Sequence, residues 1–217
     1  MTDTDSYKTF FEHIDLSKYK SILCLNGDLP DASFFNEINL PVIAADGGAN
    51  YLIKNKIPFD LVIGDLDSLD ISKLLNIRTI HEPNQSFSDF EKSIKYLKSN
   101  DLLPAIILGI NGGYIDHILY NIKIFQETDS IFFAPPILGY IVRGGQTQML
   151  ELLPNTKISL MGAPEALITT EGFKWDLKDD VLSFFGVNSC FNRIIARQSS
   201  IQVIKGNLLV LIYGTAC

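Results

Sequence analysis

The residues best placed to do chemistry are aspartates that each follow a short apolar run. Asn26-Gly27-Asp28 comes after residues 22–25, Asp46-Gly47-Gly48-Ala49-Asn50 after 42–45, and Gly64-Asp65-Leu66-Asp67-Ser68 after 61–63. Gly109-Ile110-Asn111-Gly112-Gly113 closes a further run at 105–108. In open α/β sheets ligands bind beyond the carboxyl ends of the strands, so if these runs are parallel strands, the segments behind them share one rim. Asp65 and Asp67 are two apart, which in extended backbone turns both carboxylates to one side, at a separation suited to a shared hard cation. Mg²⁺ is the expected occupant, because it takes one or two carboxylates together with water and phosphate oxygens, whereas His13, His81 and His117 have no zinc-ligand spacing. Taken alone, Asp65-Leu66-Asp67-Ser68 reads more readily as a turn capping the next helix. Gly47 and Gly48 fall where the backbone must approach a ligand closely or turn sharply, ahead of a helix expected over 49–56. Asp89 and Asp116 fall in the first turns of two more predicted helices, where a carboxylate also suits the helix dipole. Each aspartate has a local explanation, but Asp46, Asp65, Asp67, Asp89 and Asp116 together point to a site. The segment has neither the G-x-x-x-x-G-K-[ST] loop nor the G-x-G-x-x-G fingerprint.

The elements that must position these residues follow from periodicity. Up to about residue 134, the apolar runs, including one at 131–133, alternate with helical patterns. Over 87–98, Phe87, Phe90, Ile94 and Leu97 recur at helical spacing. Over 114–125, Ile115, Ile118, Leu119, Ile122 and Phe125 make one apolar stripe. Strand and helix in alternation, with short connections, predict an α/β fold: a mostly parallel sheet with helices on both faces. After Arg143-Gly144-Gly145 only short β-like runs remain, at 148–152, 157–160, 166–170, 181–184, 193–196, 201–204 and 208–212. Pro154-Asn155, Gly162-Ala163-Pro164 and Lys205-Gly206-Asn207 are read as turns between them, giving an all-β sandwich or barrel. The expected division is an α/β domain over 1–143 and a β domain over 144–217.

Composition narrows the class. The 217 residues are 47% hydrophobic, enough for a substantial core. The formal net charge is −7 and no basic stripe is present, which argues against nucleic acid as a partner. Cys24, Cys190 and Cys217 are odd in number and outside any C-x-x-C pattern, as expected of thiols in a reducing compartment. The start, Met1-Thr2-Asp3-Thr4-Asp5-Ser6, is polar and acidic, unlike a secretory signal. The most apolar stretch, 131–142, is interrupted by Pro135-Pro136 and falls short of the roughly 18 residues a membrane span needs, so it is expected to be core strand. A soluble cytoplasmic protein is the expectation, with no membrane contact.

In order and spacing these segments resemble the thiamine pyrophosphokinase family. The resemblance runs through Asp46-Gly47-Gly48-Ala49-Asn50, Gly64-Asp65-Leu66-Asp67-Ser68, Gln85-Ser86-Phe87-Ser88-Asp89-Phe90-Glu91-Lys92 and Gly109 to His117 with Asn121. It continues in Ile158-Ser159-Leu160, Glu171-Gly172-Phe173-Lys174-Trp175 and Gly206-Asn207-Leu208-Leu209, so it covers about residues 20 to 213. The resemblance implies transfer of a diphosphoryl group from ATP to thiamine, with AMP leaving, and a homodimer of chains that each carry an α/β catalytic and a β-sandwich domain. Position by position it implies that Asp65, Asp67 and Asp89 hold Mg²⁺ and the phosphates, that Asp46, Gly47, Gly48, Asn50, Asp116 and His117 shape the ATP site, and that Gln85 and Lys92 line the transfer site. Asn188 and Ser189 match the thiamine pocket in inverted order, and Trp175 matches a pattern tied to the fold of the β domain. Asp89 or Asp46 would orient the attacking hydroxyl. Tyr114 stands where the family pattern Gly-Gly-Arg-x-Asp-His has its arginine. Two other readings of these residues are a related kinase acting on a different small alcohol and a catalytically quiet nucleotide-binding module.

Overall fold

Short runs of β-branched and aliphatic residues bounded by Gly, Asp or Pro offer no polar face to water, so they suit strands covered on both sides. The computed structural model describes residues 14–69 and 77–214, which leaves His13, Cys217 and the stretch from Met1 to Ser6 outside the described residues. Its first strands are β1 Ser21–Cys24, β2 Val42–Ala45, β3 Leu61–Gly64, β4 Arg78–His81, β5 Ala105–Leu108 and β6 Ile131–Ala134. All but β4 are buried along their whole length. The six are parallel in the order β6-β5-β1-β2-β3-β4, with Ile22 of β1 in register with Val42 on one side and Ile106 on the other. Among the described strands β4, Arg-Thr-Ile-His, pairs with β3 alone and is largely exposed, so it lacks the apolar run by which the other five are recognised.

Among the described residues four helices accompany these strands: α1 Ala32–Glu37, α2 Gly48–Lys54, α3 Asp89–Ser99 and α4 Ile115–Phe125. α3 starts in a capping box, in which Ser88 Oγ accepts from the Glu91 N–H at 3.2 Å and the Ser88 N–H donates to Glu91 Oε2 at 2.9 Å. Its Phe90 and Leu97 are buried, as the periodicity requires. α4 departs from expectation. Phe125 is buried and packs edge-on against Phe132 at 5.0 Å, but Ile115 and Leu119 of the predicted stripe are 69% and 45% exposed. The helix is therefore anchored at its C-terminal end, and none of the described residues fully covers the first two turns.

The described residues of Leu16–Ala134 form one compact unit, and the chain from Pro135 onward belongs to a second. This division lies ahead of the expected 143/144, because β7, Ile137–Arg143, pairs antiparallel with the last strand, β12, Gln198–Tyr213. The apolar stretch 131–142 is thus two strands, one in each unit, on either side of Pro135-Pro136. The other strands of the second unit are β8 Thr147–Glu151, β9 Lys157–Glu171, β10 Asp180–Ser183 and β11 Ser189–Arg193. β9 and β12 correct the sequence reading, which split each into two short strands. Gly162-Ala163-Pro164 and Lys205-Gly206-Asn207 lie inside them, and the β9–β12 register slips on both sides of Gly206. Gly206 has φ +79°, and a Cβ there would meet the Glu165 carbonyl oxygen, so this irregularity demands glycine. Two antiparallel ladders share the long strands, β11-β9-β12-β7 at one end and β10-β9-β12-β8 at the other. One core, including Val142, Leu150, Leu160, Ile168, Leu182 and Val210, draws on both. Among the described residues no helix is long and apolar enough to cross a membrane.

Candidate active site

The strand order places β1 between β2 and β5, so the direction of progression through the sheet reverses there, which is where open α/β sheets bind ligands. The loops behind β1 and β5 interlock, with the Asp28 N–H donating to the Asn111 carbonyl at 2.9 Å and Asn111 Nδ2 to Asp28 Oδ2 at 3.3 Å. Beside them, behind β2 and β3 and at the start of α3, stand Asp46, Asp65 and Asp89. One carboxylate oxygen from each lies within 4.8 Å of the others.

Asp46 is the buried member, only 5% exposed, and its φ of +35° is a left-handed conformation that costs energy outside glycine. Its N–H donates to the Ile63 carbonyl at 2.8 Å, and its Oδ1 accepts from the Leu66 N–H at 3.0 Å. Gly64 makes room for it, since a Cβ at 64 would stand 2.7 Å from the Asp46 Cβ. Burial pushes the Asp46 carboxyl above the usual aspartate range, the Ser68 side chain opposes this, and the charges of Asp89 and Asp65 add to it. The Asp65 carboxyl is held low, chiefly by Gln85, whose Nε2 donates to Asp65 Oδ2 at 2.7 Å, and then by the Asp67 N–H. Asp89 Oδ1 accepts from the buried Lys92 ammonium at 3.0 Å. An all-oxygen donor set this tight suits a hard divalent cation, whose charge would relieve the repulsion that burdens Asp46.

Asp67 is not in this group. The expected extended geometry of Asp65-Leu66-Asp67 does not form, because Leu66 adopts φ +65° so that its N–H can reach Asp46. Asp67 is exposed, with Oδ1 accepting from the Ser68 hydroxyl at 3.0 Å. Sequence spacing pairs Asp65 with Asp67, and the tertiary fold supplies Asp46 instead.

Gly47 and Gly48 are buried, and the close approaches they permit are to the chain itself. A Cβ at Gly48 would meet the Cys24 carbonyl, and one at Gly47 the Asn26 side chain at 2.5 Å. They let α2 sit on the end of β1. Asn50 donates from Nδ2 to the Ser68 carbonyl at 3.1 Å, tying α2 to the loop behind β3.

A cleft of about 350 Å³ is lined by Ser88, Asp116, His117, Tyr120 and Asn121. Asp116 and His117 are brought together here, both exposed in the first turn of α4. Ser88 and Tyr120 were not singled out from sequence, although Ser88-x-x-Glu91 is a readable capping box and Tyr120 follows Asp116 by one helical turn. The Tyr120 hydroxyl donates to Glu91 Oε1 at 3.1 Å, which raises its own pKa. Burial alone would raise the Glu91 carboxyl, but the Ser88 N–H and hydroxyl, Tyr120 and Lys123 outweigh it and hold the group low. Tyr114 caps α4 without a side-chain cap bond, is 77% exposed, and meets His117 edge-on at 6.1 Å.

In the second unit, Asn188 turns its amide inward. Its Oδ1 accepts from the Gly162 N–H at 3.0 Å and its Nδ2 donates to the Ser183 carbonyl at 2.8 Å. The Ser189 hydroxyl accepts from Asn192 Nδ2 at 3.0 Å. The buried Asn192 also pins the Trp175 backbone, at 3.2 Å to its N–H and 2.8 Å to its carbonyl. The Trp175 ring itself is 55% exposed under the Lys174 ammonium, and Phe173 is the residue of that motif in the core.

Comparison with known proteins assigns both units. Residues 35–132 match the thiamin pyrophosphokinase catalytic domain, and residues 153–208 match the thiamin pyrophosphokinase vitamin B1 binding domain. The chain belongs to the thiamine pyrophosphokinase family. Among the family's members, thiamine pyrophosphokinase 3 of Oryza sativa subsp. japonica is 24% identical over 76% of this chain and 74% of its own length. Thiamine pyrophosphokinase 2 of Arabidopsis thaliana is 25% identical over 70% of each. The thiamine pyrophosphokinase fold is also that of the solved structures from Bacillus subtilis (TM-score 0.76, 18% identity, 91% of this chain and 100% of that one) and yeast (TM-score 0.78, 18% identity, 93% and 88%).

Proposed function

We infer that the chain is a thiamine pyrophosphokinase, an ATP-dependent enzyme that moves a diphosphoryl group to thiamine and releases AMP. The observation that carries this is the meeting of Asp46, Asp65 and Asp89 on the rim of a catalytic domain of that family. The finer assignments are part of the proposal. Asp46, Asp65 and Asp89 hold Mg²⁺, and Asp67, outside this group, steadies Asp65 through its backbone N–H. When bound, the cation neutralises charge developing on the transferred group. ATP occupies the cleft beside Asp116 and His117, with Ser88 and Tyr120 in its wall, while Asn50 fixes the loop that carries Asp65 and Asp67. Asp89 or Asp46 orients the thiamine hydroxyl in line with the β-phosphorus, and the chain's work is alignment more than covalent chemistry. Gln85 holds Asp65 at the transfer site. In the second unit Ser189 faces thiamine, and Asn188 shapes the pocket by bracing the turn at 183–188.

The same reading includes helices on both faces of the parallel sheet, a β-sandwich for the second unit and a homodimer. The uncovered Ile115 and Leu119 in the first unit, and Phe185, Val187 and Phe191 in the second, support the dimer as apolar surface that a second copy would cover. A cytoplasmic location also belongs to the proposal, supported by the free thiols of Cys24 and Cys190.

The test is AMP release from Mg-ATP with and without thiamine, beside an Asp65→Asn, Asp67→Asn double variant. Thiamine-dependent AMP that disappears in the variant is expected. Tyr114 in the arginine position favours a second reading, a nucleotide-binding module without transfer, for which ATP would bind and no acceptor would elicit AMP.

A further inference from the structure

Lys92 is unusual among the cations of this chain. It is one helical turn beyond Asp89 on α3, its side chain is 4% exposed, and its ammonium donates to Asp89 Oδ1 at 3.0 Å. A buried ammonium is costly unless paired, so the contact is held in the folded state rather than made on demand. Lys92 also lies close enough to act on the charge of Asp65. With 96% of its side chain covered, it offers little surface to a polyanion arriving from solvent. The charges set its effect: Asp46, Asp65 and Asp89 contribute −3, Lys92 +1, and the remaining −2 is what one divalent cation cancels.

We propose that Lys92 is a positioning residue that fixes the Asp89 carboxylate toward Asp46 and Asp65 and limits the group's excess negative charge, acting through Asp89 rather than on the nucleotide. This rests on the cation reading above. Unpairing Asp89 has two effects of opposite sign. The cation site becomes more negative and draws a divalent ion more strongly, while the carboxylate loses its fixed orientation and turnover suffers.

The experiment compares the full-length wild type with Lys92→Met and Lys92→Gln. Mn²⁺ binding to the nucleotide-free protein is read by electron paramagnetic resonance, kcat and KM for Mg-ATP by AMP release, and folding by thermal unfolding in EDTA. For Lys92→Met the expected result is Mn²⁺ binding about fivefold tighter or more, and kcat lower by about thirtyfold or more, with KM for Mg-ATP within about threefold of wild type. Lys92→Gln, which still donates to Asp89 without a charge, should recover part of the lost kcat. A raised KM with kcat retained would make Lys92 a nucleotide contact and overturn the proposal. Loss of Mn²⁺ binding, turnover and thermal stability together would make the pair merely structural and also overturn it. A wild type that binds no Mn²⁺ would sink the cation reading itself, and this role of Lys92 with it.

Discussion

Asp46→Asn separates stability from activity at the carboxylate group. Asn tolerates left-handed backbone, so φ +35° is kept, and its Oδ1 still accepts from the Leu66 N–H. Its new Nδ2 carries no charge to repel the carboxylates of Asp65 and Asp89. What disappears is a buried charge within 4.8 Å of two like charges. Solvent around Asp65 and Asp89 screens most of that repulsion, and the part felt at buried Asp46 remains. A net gain of about 1 kcal/mol is expected in the metal-free protein, which for a chain of this size raises Tm by about 2–4 °C.

The pH dependence follows from the direction of the Asp46 shift. A carboxyl raised above its ordinary value of 3.8 favours the folded state only while protonated, and that contribution is lost as pH rises through the raised value. The advantage of Asn is therefore full at neutral pH and shrinks as pH falls toward the ordinary aspartate range. Addition of Mg²⁺ should stabilise the wild type and do far less for the variant, because binding to the folded state alone is what raises Tm. Turnover should fall by about 10²–10³, the usual loss when one group that stabilises transition-state charge is removed. The assays are thermal unfolding in EDTA and in MgCl₂ across pH, with AMP release beside them. A variant that melts below wild type in EDTA at neutral pH would refute the repulsion argument. One that keeps both its Mg²⁺ response and its turnover would remove Asp46 from the site.

Glu91→Gln should flatten the acid limb of the stability curve: the Glu91 contribution is complete above its ordinary value of 4.5 and lost as pH falls through its depressed folded value, which urea unfolding at stepped pH will register. Asn192→Ala strips partners from the Trp175 N–H and carbonyl and the Arg193 N–H, and should cost about 2–3 kcal/mol by denaturant unfolding. A loss under about 0.5 kcal/mol would mean that these groups find other partners. Tyr114→Arg sacrifices no cap bond and places a guanidinium beside Asp116 and His117, so KM for Mg-ATP should fall by about tenfold with Tm unchanged. An unchanged KM would place the nucleotide phosphates out of reach of position 114.

The rim was legible because its chemistry follows strand ends, and strand ends are marked locally by an apolar run that stops at Gly or Asp. Asp46 and Asp65 could be picked out in that way, and Asp89 and Asp116 from their places in the first turns of predicted helices. Which of them meet could not, because the choice between Asp46 and Asp67 turns on the φ of Leu66, and that is set by a hydrogen bond from its N–H to a residue 20 positions earlier. The same limit hid the continuity of β9 and β12. Gly162-Ala163-Pro164 and Gly206 carry the composition of turns, yet each is spanned by a partner strand that keeps the ladder going past the irregularity. It also explains β4, whose single neighbour spares it the apolar run that burial on both sides demands.

The glycines after Asp46 bear on how such motifs should be read. A Gly-Gly behind a parallel strand looks like room for a phosphate, but the missing Cβ atoms also let the chain approach itself, at the Cys24 carbonyl and the Asn26 side chain. The consequence for function is indirect: with α2 pressed onto the end of β1, Asp46 has no slack, and its left-handed backbone is held by the Ile63 carbonyl on one side and by Ala49, whose N–H donates to the Asp46 carbonyl at 3.0 Å, on the other. A buried, strained and like-charged carboxylate is poor design for stability alone. It makes sense where a cation is to be held without reorganisation, since its charge would offset the repulsion among the three carboxylates.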